Sequence, residues 1–201
     1  MKVIIVRQGQ TDENVNKLIA GQGIDSLLSK EGIEQAKKLG LHLKNEKIDI
    51  AYASDQKRAV QTLEHILEFH PQIKAVKDKK LRERSYGEFE GKPSKEAWEI
   101  MKKSPLAFEL VKPKGGESTS DVHKRVGKFF NSLLEKHKDE TVLIVSHGRA
   151  IALLLLHILG KPIHEENQTA HRPENTAIAI LELSENQPVK VHTLNNLEHL
   201  N

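Results

Sequence analysis

The sequence predicts an α/β domain with three layers: a mainly parallel sheet and helices on both of its faces. Three observations carry this. Short, near-continuous apolar runs stand at Val3–Val6, Ile48–Ala53 and Val142–Val145, as strands buried on both faces require. Helical periodicity fills the intervals between and after them. The alternation of the two patterns is that of a parallel sheet joined by crossover helices.

The elements follow in order. Between the first two runs, Ile33, Ala36, Leu39 and Leu43 fall on one helix face. After the second, Ala59, Leu63, Ile66 and Leu67 repeat at helical spacing. Val122, Val126, Phe129, Phe130, Leu133 and Leu134 form the clearest amphipathic stripe, with Ser118 or Thr119 placed to cap it. Residues 150 to 159 are apolar nearly all round, as in a deeply packed helix, and Gly160 with Pro162 ends it. Two late strands are expected over 177–183 and 189–194, with Glu185 and Asn186 in the turn between them. The segment from about 84 to 120 is rich in Gly, Pro, Lys and Glu, with Trp98 and a short helix over 95–103. It reads as a lid-like excursion from a single domain spanning 1–201.

Composition narrows the function. The chain has 31 basic and 28 acidic residues, a formal net charge of +3 and no cysteine. Thiolate metal sites and disulfides are excluded. The basic residues are scattered and the aromatics few, so no nucleic-acid footprint appears. The eleven histidines show no metal-ligand spacing. No apolar run reaches the length of a secretory core or a membrane span. The expectation is a soluble cytoplasmic protein, without metal or cofactor, that takes a small anion and is a monomer or homodimer.

In open α/β sheets, ligands lie beyond the carboxyl ends of the strands. The first run ends in Arg7-Gln8-Gly9, the second in Ser54-Asp55-Gln56-Lys57-Arg58, the third in Ser146-His147-Gly148-Arg149. If these strands are neighbours, two arginines and a histidine meet in one crevice. Guanidinium forks match phosphate oxygens, and Gly9 and Gly148 let backbone amides come close to a ligand. Arg58 near a helix start adds a further preference for an anion. Any one of these residues alone more often has a structural role; their coincidence at three strand ends is what suggests a phosphate site.

With these residues in view, "VRQGQTDEN" resembles the signature of the histidine phosphatase superfamily, the phosphoglycerate-mutase-like proteins, with one change. "GQGIDSLLSKEG" (21–32), "SDQKRAVQT" (54–62), "LRERSYGEFEG" (81–91), "GGESTSDVHKRV" (115–126) and "VSHG" (145–148) follow in the family's order and spacing. The resemblance implies a metal-independent phosphomonoester hydrolase acting through a phosphohistidine. It implies that Arg7, Arg58 and His147 clamp the phosphoryl group and that Asn14 adds a hydrogen bond. Glu83 would be the general acid and then the base. Gln22, Gly148 and Arg172 complete the phosphate- and substrate-binding set that it implies. Glu88 is placed at the pocket mouth and Trp98 as a lid anchor. Lys92, Lys95, Lys102, Lys103, Lys112 and Lys114 either attract an acidic substrate or are simply solvated.

The change is at the nucleophile's position, which Gln8 occupies. A carboxamide nitrogen is delocalised into its carbonyl and cannot carry a phosphoryl group as imidazole does. It can still donate a hydrogen bond to a phosphate oxygen. Three accounts follow: an introduced substitution that disables a phosphatase, a natural pseudophosphatase that binds a phosphorylated metabolite or peptide, or slow direct hydrolysis through Glu83 and water. A phosphoglycerate mutase is the alternative activity, against which the short excursion speaks. The phosphorylated ligand, or inorganic phosphate itself, is the expected partner.

Overall fold

The computed structural model describes residues 1–201. Six strands form one sheet: β1 (Lys2–Arg7), β2 (Ile50–Ala53), β3 (Lys74–Lys77), β4 (Thr141–Ser146), β5 (Ile178–Glu182) and β6 (Lys190–Asn196), in spatial order β3-β2-β4-β1-β5-β6. The first four are parallel, and β5 and β6 run antiparallel to their neighbours. The helices are α1 (Asp12–Val15), α2 (Lys30–Leu43), α3 (Lys57–Leu67), α4 (Ser94–Lys102), α5 (Thr119–Lys136), α6 (Gly148–Ile158) and α7 (Glu165–Ala170).

The double-sided burial read from the apolar runs is present. Val3 and Ile5 of β1, with Val142 and Ile144 of β4, pack under α5 and α6. Ile4 and Val6, with Leu143 and Val145, pack under α2 and α3 on the other face. The sequence-predicted elements agree in kind and differ at their ends. The second strand starts at Ile50, not Ile48, although Ile48 is buried. The helix of the excursion starts at Ser94, and the last strand extends to Asn196. Ser118, not Thr119, caps α5: its hydroxyl accepts from the Asp121 amide, and the Asp121 carboxylate accepts from the Ser118 amide. Helix α6 closes as its composition suggests. Gly160 takes φ +62°, and the amides of Lys161 and Gly160 donate to the carbonyls of Leu156 and His157. No helix is long and apolar enough to cross a membrane.

The α2–α3 crossing depends on Gly40. A Cβ there would lie 2.3 Å from the His65 carbonyl oxygen. Gly40→Ala would gain about 1 kcal/mol in helix propensity. The obstacle is backbone, which cannot swing aside, so overpacking costs about 3 kcal/mol and decides the sign. Urea unfolding should show a net loss of about 2 kcal/mol. An unchanged midpoint would mean that the two helices separate freely.

Candidate active site

Strands β2, β4 and β1 are neighbours, and their register brings the ends to one level: Ala53 pairs with Val145, and Arg7 with Ser146. The ladder continues one residue further, with the amides of Gln8 and Ser54 donating to the Ser146 and Val145 carbonyls. Beyond these ends lies a cleft of about 470 Å³. Arg7, Gln8, Asn14, Arg58, Glu83, His147 and Arg172 all line it.

Both guanidiniums nearest the strand ends are buried and aimed by backbone carbonyls. Arg7 Nη1 donates to Pro173 O at 2.7 Å, while its Nε has no protein partner. Arg58 Nη1 and Nη2 donate to Ile24 O and Gly21 O at 2.9 and 2.8 Å. Burial and the nearby Arg172 charge lower the Arg7 pKa to about 10, so the group remains cationic at neutral pH. Burial also lowers that of Arg58. His147 is enclosed, and neither ring nitrogen has a protein partner. Burial, then the charges of Arg58, Arg125 and Arg7, hold its pKa well below the usual histidine value. It is therefore a neutral imidazole with one N–H to donate. Gln8 is likewise buried, and its Oε1 has no partner. Such a group of orphaned polar atoms is costly unless a ligand or water satisfies it.

Glu83 is fixed from every side. Its carboxylate accepts from the amides of Arg84, Arg149 and Ala150, the last two in the first turn of α6. Its own amide donates to Gln56 Oε1. Its carbonyl accepts from Gln22 Nε2 and Arg125 Nη2. Arg125 also holds the carbonyls of Lys80 and Arg82 and forms two hydrogen bonds to the Glu117 carboxylate. The charged partner outweighs burial and holds the Glu117 pKa below its ordinary value.

Asn14 lines the cleft with its amide orientation set. Its Oδ1 accepts from the Thr11 amide and from Asn175 Nδ2, which turns its own NH₂ away from those donors. Three of the expected residues sit elsewhere or work differently. Gln22 is not in the cleft: its side chain donates to Glu83 O and to Glu117 Oε2, behind the site. Glu88 is not at the mouth; its Oε1 accepts from the Lys114 amide. The Gly9 amide is taken by Thr62 Oγ1, and Gly9 is small because a Cβ would lie 2.6 Å from Gly32 O. Gly148 does matter for approach, since a Cβ there would stand 3.2 Å from Arg172 Nε and 3.5 Å from Arg7 Nε. Of the six excursion lysines, Lys102 and Lys112 are in ion pairs, and Lys92 lies over the Phe89 ring.

Sequence reasoning missed Pro173, Glu174 and Asn175, which wall the cleft. Asn175 Nδ2 bridges Gln8 O and Asn14 Oδ1. These residues precede β5, which is antiparallel to β1. Its beginning therefore lies at the carboxyl ends of the parallel strands, a fact of strand direction that periodicity does not carry. Trp98 packs on Tyr86 and Phe108 over the small cluster of the excursion, and it also lines the cleft.

The strand order and helix placement define an α/β protein of the phosphoglycerate-mutase-like fold, with a cationic cleft at the strand ends. The chain belongs to the histidine phosphatase superfamily (branch 1), whose model matches residues 3–196. It is 40% identical over 132 residues to fructose-2,6-bisphosphatase TIGAR of Xenopus tropicalis, a match covering 64% of this chain and 48% of that protein. It thus spans about half the length of that relative. It is 33% identical over 172 residues to the 2,3-bisphosphoglycerate-dependent phosphoglycerate mutase of Brucella melitensis, covering 79% of this chain and 81% of the mutase. Among solved structures, a mycobacterial glucosyl-3-phosphoglycerate phosphatase with VO3 superposes with a TM-score of 0.81 at 25% identity, over 96% of this chain and 98% of that one. The family thus includes phosphatases and mutases.

Proposed function

We propose that the cleft is the phosphoryl site of a metal-independent phosphomonoesterase, and that Gln8 stands where its nucleophilic histidine belongs. As it stands, the chain binds a phosphorylated ligand and leaves the covalent route closed. One observation carries the reading: Arg7 Nε, both nitrogens of His147 and Gln8 Oε1 are buried without protein partners around two buried guanidiniums. A phosphoryl group supplies acceptors for the donors among them, Arg7 Nε–H and the one N–H of His147. Gln8 Oε1 and the bare ring nitrogen are themselves acceptors and are not satisfied by its oxygens. Its oxygens accept from Arg7, Arg58, the neutral His147, the Asn14 amide and the Gln8 NH₂ group. The same donors stabilise the charge that spreads over those oxygens in a transfer step. Glu83, rigidly held at the start of α6, would donate a proton to the leaving oxygen and later take one from water. The excursion over 84–120, carrying α4 and Trp98 to the cleft, would act as its lid and exclude bulk water. Its small size, with α4 as its one α-helix beside two single-turn 3₁₀ segments, favours hydrolysis over retention of the phosphoryl group for return. The match to phosphatases, one of them with VO3, supports the same site.

Calorimetric titration with inorganic phosphate tests the binding half. The unaltered chain should bind it, and Arg58→Gln should weaken binding by at least about thirty-fold, as loss of a buried charge partner does. No measurable binding, or binding indifferent to Arg58, would remove the phosphate reading.

A further inference from the structure

Strand β6 leads into a turn that packs outside the cleft. This 3₁₀ turn, Glu198–Leu200, lies against α2: Lys38 Nζ donates to Leu200 O at 3.4 Å, and the His42 and His199 rings are 5.7 Å apart. His199 does not line the cleft, and it lies beyond residues 3–196, the span of the family match. Its Nε2 is 3.0 Å from the Thr176 hydroxyl, and its Nδ1 is buried without a partner.

The direction of that hydrogen bond is fixed by its neighbour. The Thr176 hydroxyl donates its single proton to Asn175 O at 2.7 Å, so from the imidazole it can only accept. His199 therefore carries its proton on Nε2, and Nδ1 is bare. A second proton would place an N–H in a buried position without an acceptor, beside His42 and Lys38. Burial, then the charges of His42 and Lys38, push the His199 pKa down to about 4, in keeping with a neutral ring.

Thr176 is where such a bond has leverage. It is fully buried at φ +57°, a left-handed conformation that a β-branched residue takes only when its surroundings impose it. Its amide donates to the carbonyls of Arg7 and Gln8 at 3.1 and 3.4 Å. The residues just before it wall the cleft and touch the phosphoryl site again. Pro173 O accepts from Arg7 Nη1, and Asn175 Nδ2 donates to Gln8 O and Asn14 Oδ1. A second tie comes from the same direction, with the Glu174 amide donating to Asn195 Oδ1 at 2.8 Å. The end of β6 and the turn after it thus grip residues 174 and 176, on either side of Asn175.

We propose that His199 is a positioning residue of the phosphoryl site. Its Nε2–H holds Thr176 in the left-handed conformation, which keeps Pro173 O on the Arg7 guanidinium and Asn175 on residue 8 and Asn14. The role rests on the phosphoryl-site reading given above.

Calorimetric titration with inorganic phosphate compares the unaltered chain with His199→Leu, His199→Gln and Thr176→Val. His199→Leu removes the donor and should weaken phosphate binding about five- to tenfold, the worth of one hydrogen bond that aims charged groups. His199→Gln should restore affinity to within about twofold, because its amide nitrogen can donate where the imidazole Nε2 does. Thr176→Val, of the same shape, should match His199→Leu, and the double variant should lose no more than either alone. Affinity unchanged in His199→Leu, or a loss that His199→Gln does not recover, overturns the role and leaves the phosphate site standing. Nitrogen NMR of the imidazoles in the unaltered chain gives a check that needs no variant. His199 should be the neutral Nε2–H tautomer at about pH 6, where an unperturbed ring is mostly charged. An Nδ1–H tautomer or an imidazolium there overturns the proposal. Failure of inorganic phosphate to bind the unaltered chain at all overturns the phosphoryl site and this role together.

Discussion

Gln8→His is expected to raise phosphate release from an aryl phosphate by about 10⁴-fold or more, without added metal. Removing the nucleophile of a covalent mechanism costs rate on that scale, because the remaining donors only bind and polarise. The surroundings are already in place. Residue 8 is buried between Arg7 and His147, and its amide is tied to Ser146 at the end of β4. Side-by-side assays of the two proteins check this. If both are inert while phosphate binds, the chain is a binding module whose other parts are not arranged for transfer.

The second large effect concerns Glu83, read in the Gln8→His background. Glu83→Gln should lower turnover by about 10²–10⁴-fold, the usual worth of a positioned acid–base group. The loss should depend on the leaving group: large for an alkyl phosphate, whose oxygen must be protonated, and small for a nitrophenyl phosphate, whose oxygen leaves unaided. That dependence separates proton transfer from mere disturbance, which is a real concern here. The carboxylate accepts three backbone N–H groups, and an amide cannot replace both oxygens. A uniform loss across leaving groups would assign Glu83 to positioning the α6 start rather than to chemistry.

Much of this fold was legible because burial on both faces leaves a strong mark. Val3–Val6 and 142–145 are apolar throughout since each residue meets one helical layer or the other. Strand β3 left no such mark. Lys-Ala-Val-Lys at the sheet edge is largely exposed, so neither alternation nor an apolar run reveals it; only its pairing with β2 makes it a strand. Helices α1 and α7 are too short to show a period. The site was legible in parts for a similar reason. Arg7, Arg58 and His147 follow strands that sequence could identify, and their convergence needed only the order β2-β4-β1. Residues that hold the site, rather than line it, were not visible. Gln56 bridges Gly21 O and the Glu83 amide, and Arg125 gathers three carbonyls and Glu117 from the middle of an amphipathic helix. On that helix Arg125 looks like any solvent-facing cation, and Arg84, although buried, looks like a loop residue. It donates to the carbonyls of Val111 and Glu117 and so fastens both ends of the excursion. Their roles arise from contacts distant in sequence.

The central claim is that position 8 is the one missing part of a phosphoryl-transfer site. The most direct measurement incubates this chain and Gln8→His with a phosphomonoester, quenches at neutral to alkaline pH, and maps phosphorylation by peptide mass spectrometry. The account predicts a phosphoryl adduct on residue 8 of Gln8→His and none on the unaltered chain. Turnover by Gln8→His without an adduct at residue 8, or equal turnover by both proteins, would contradict it.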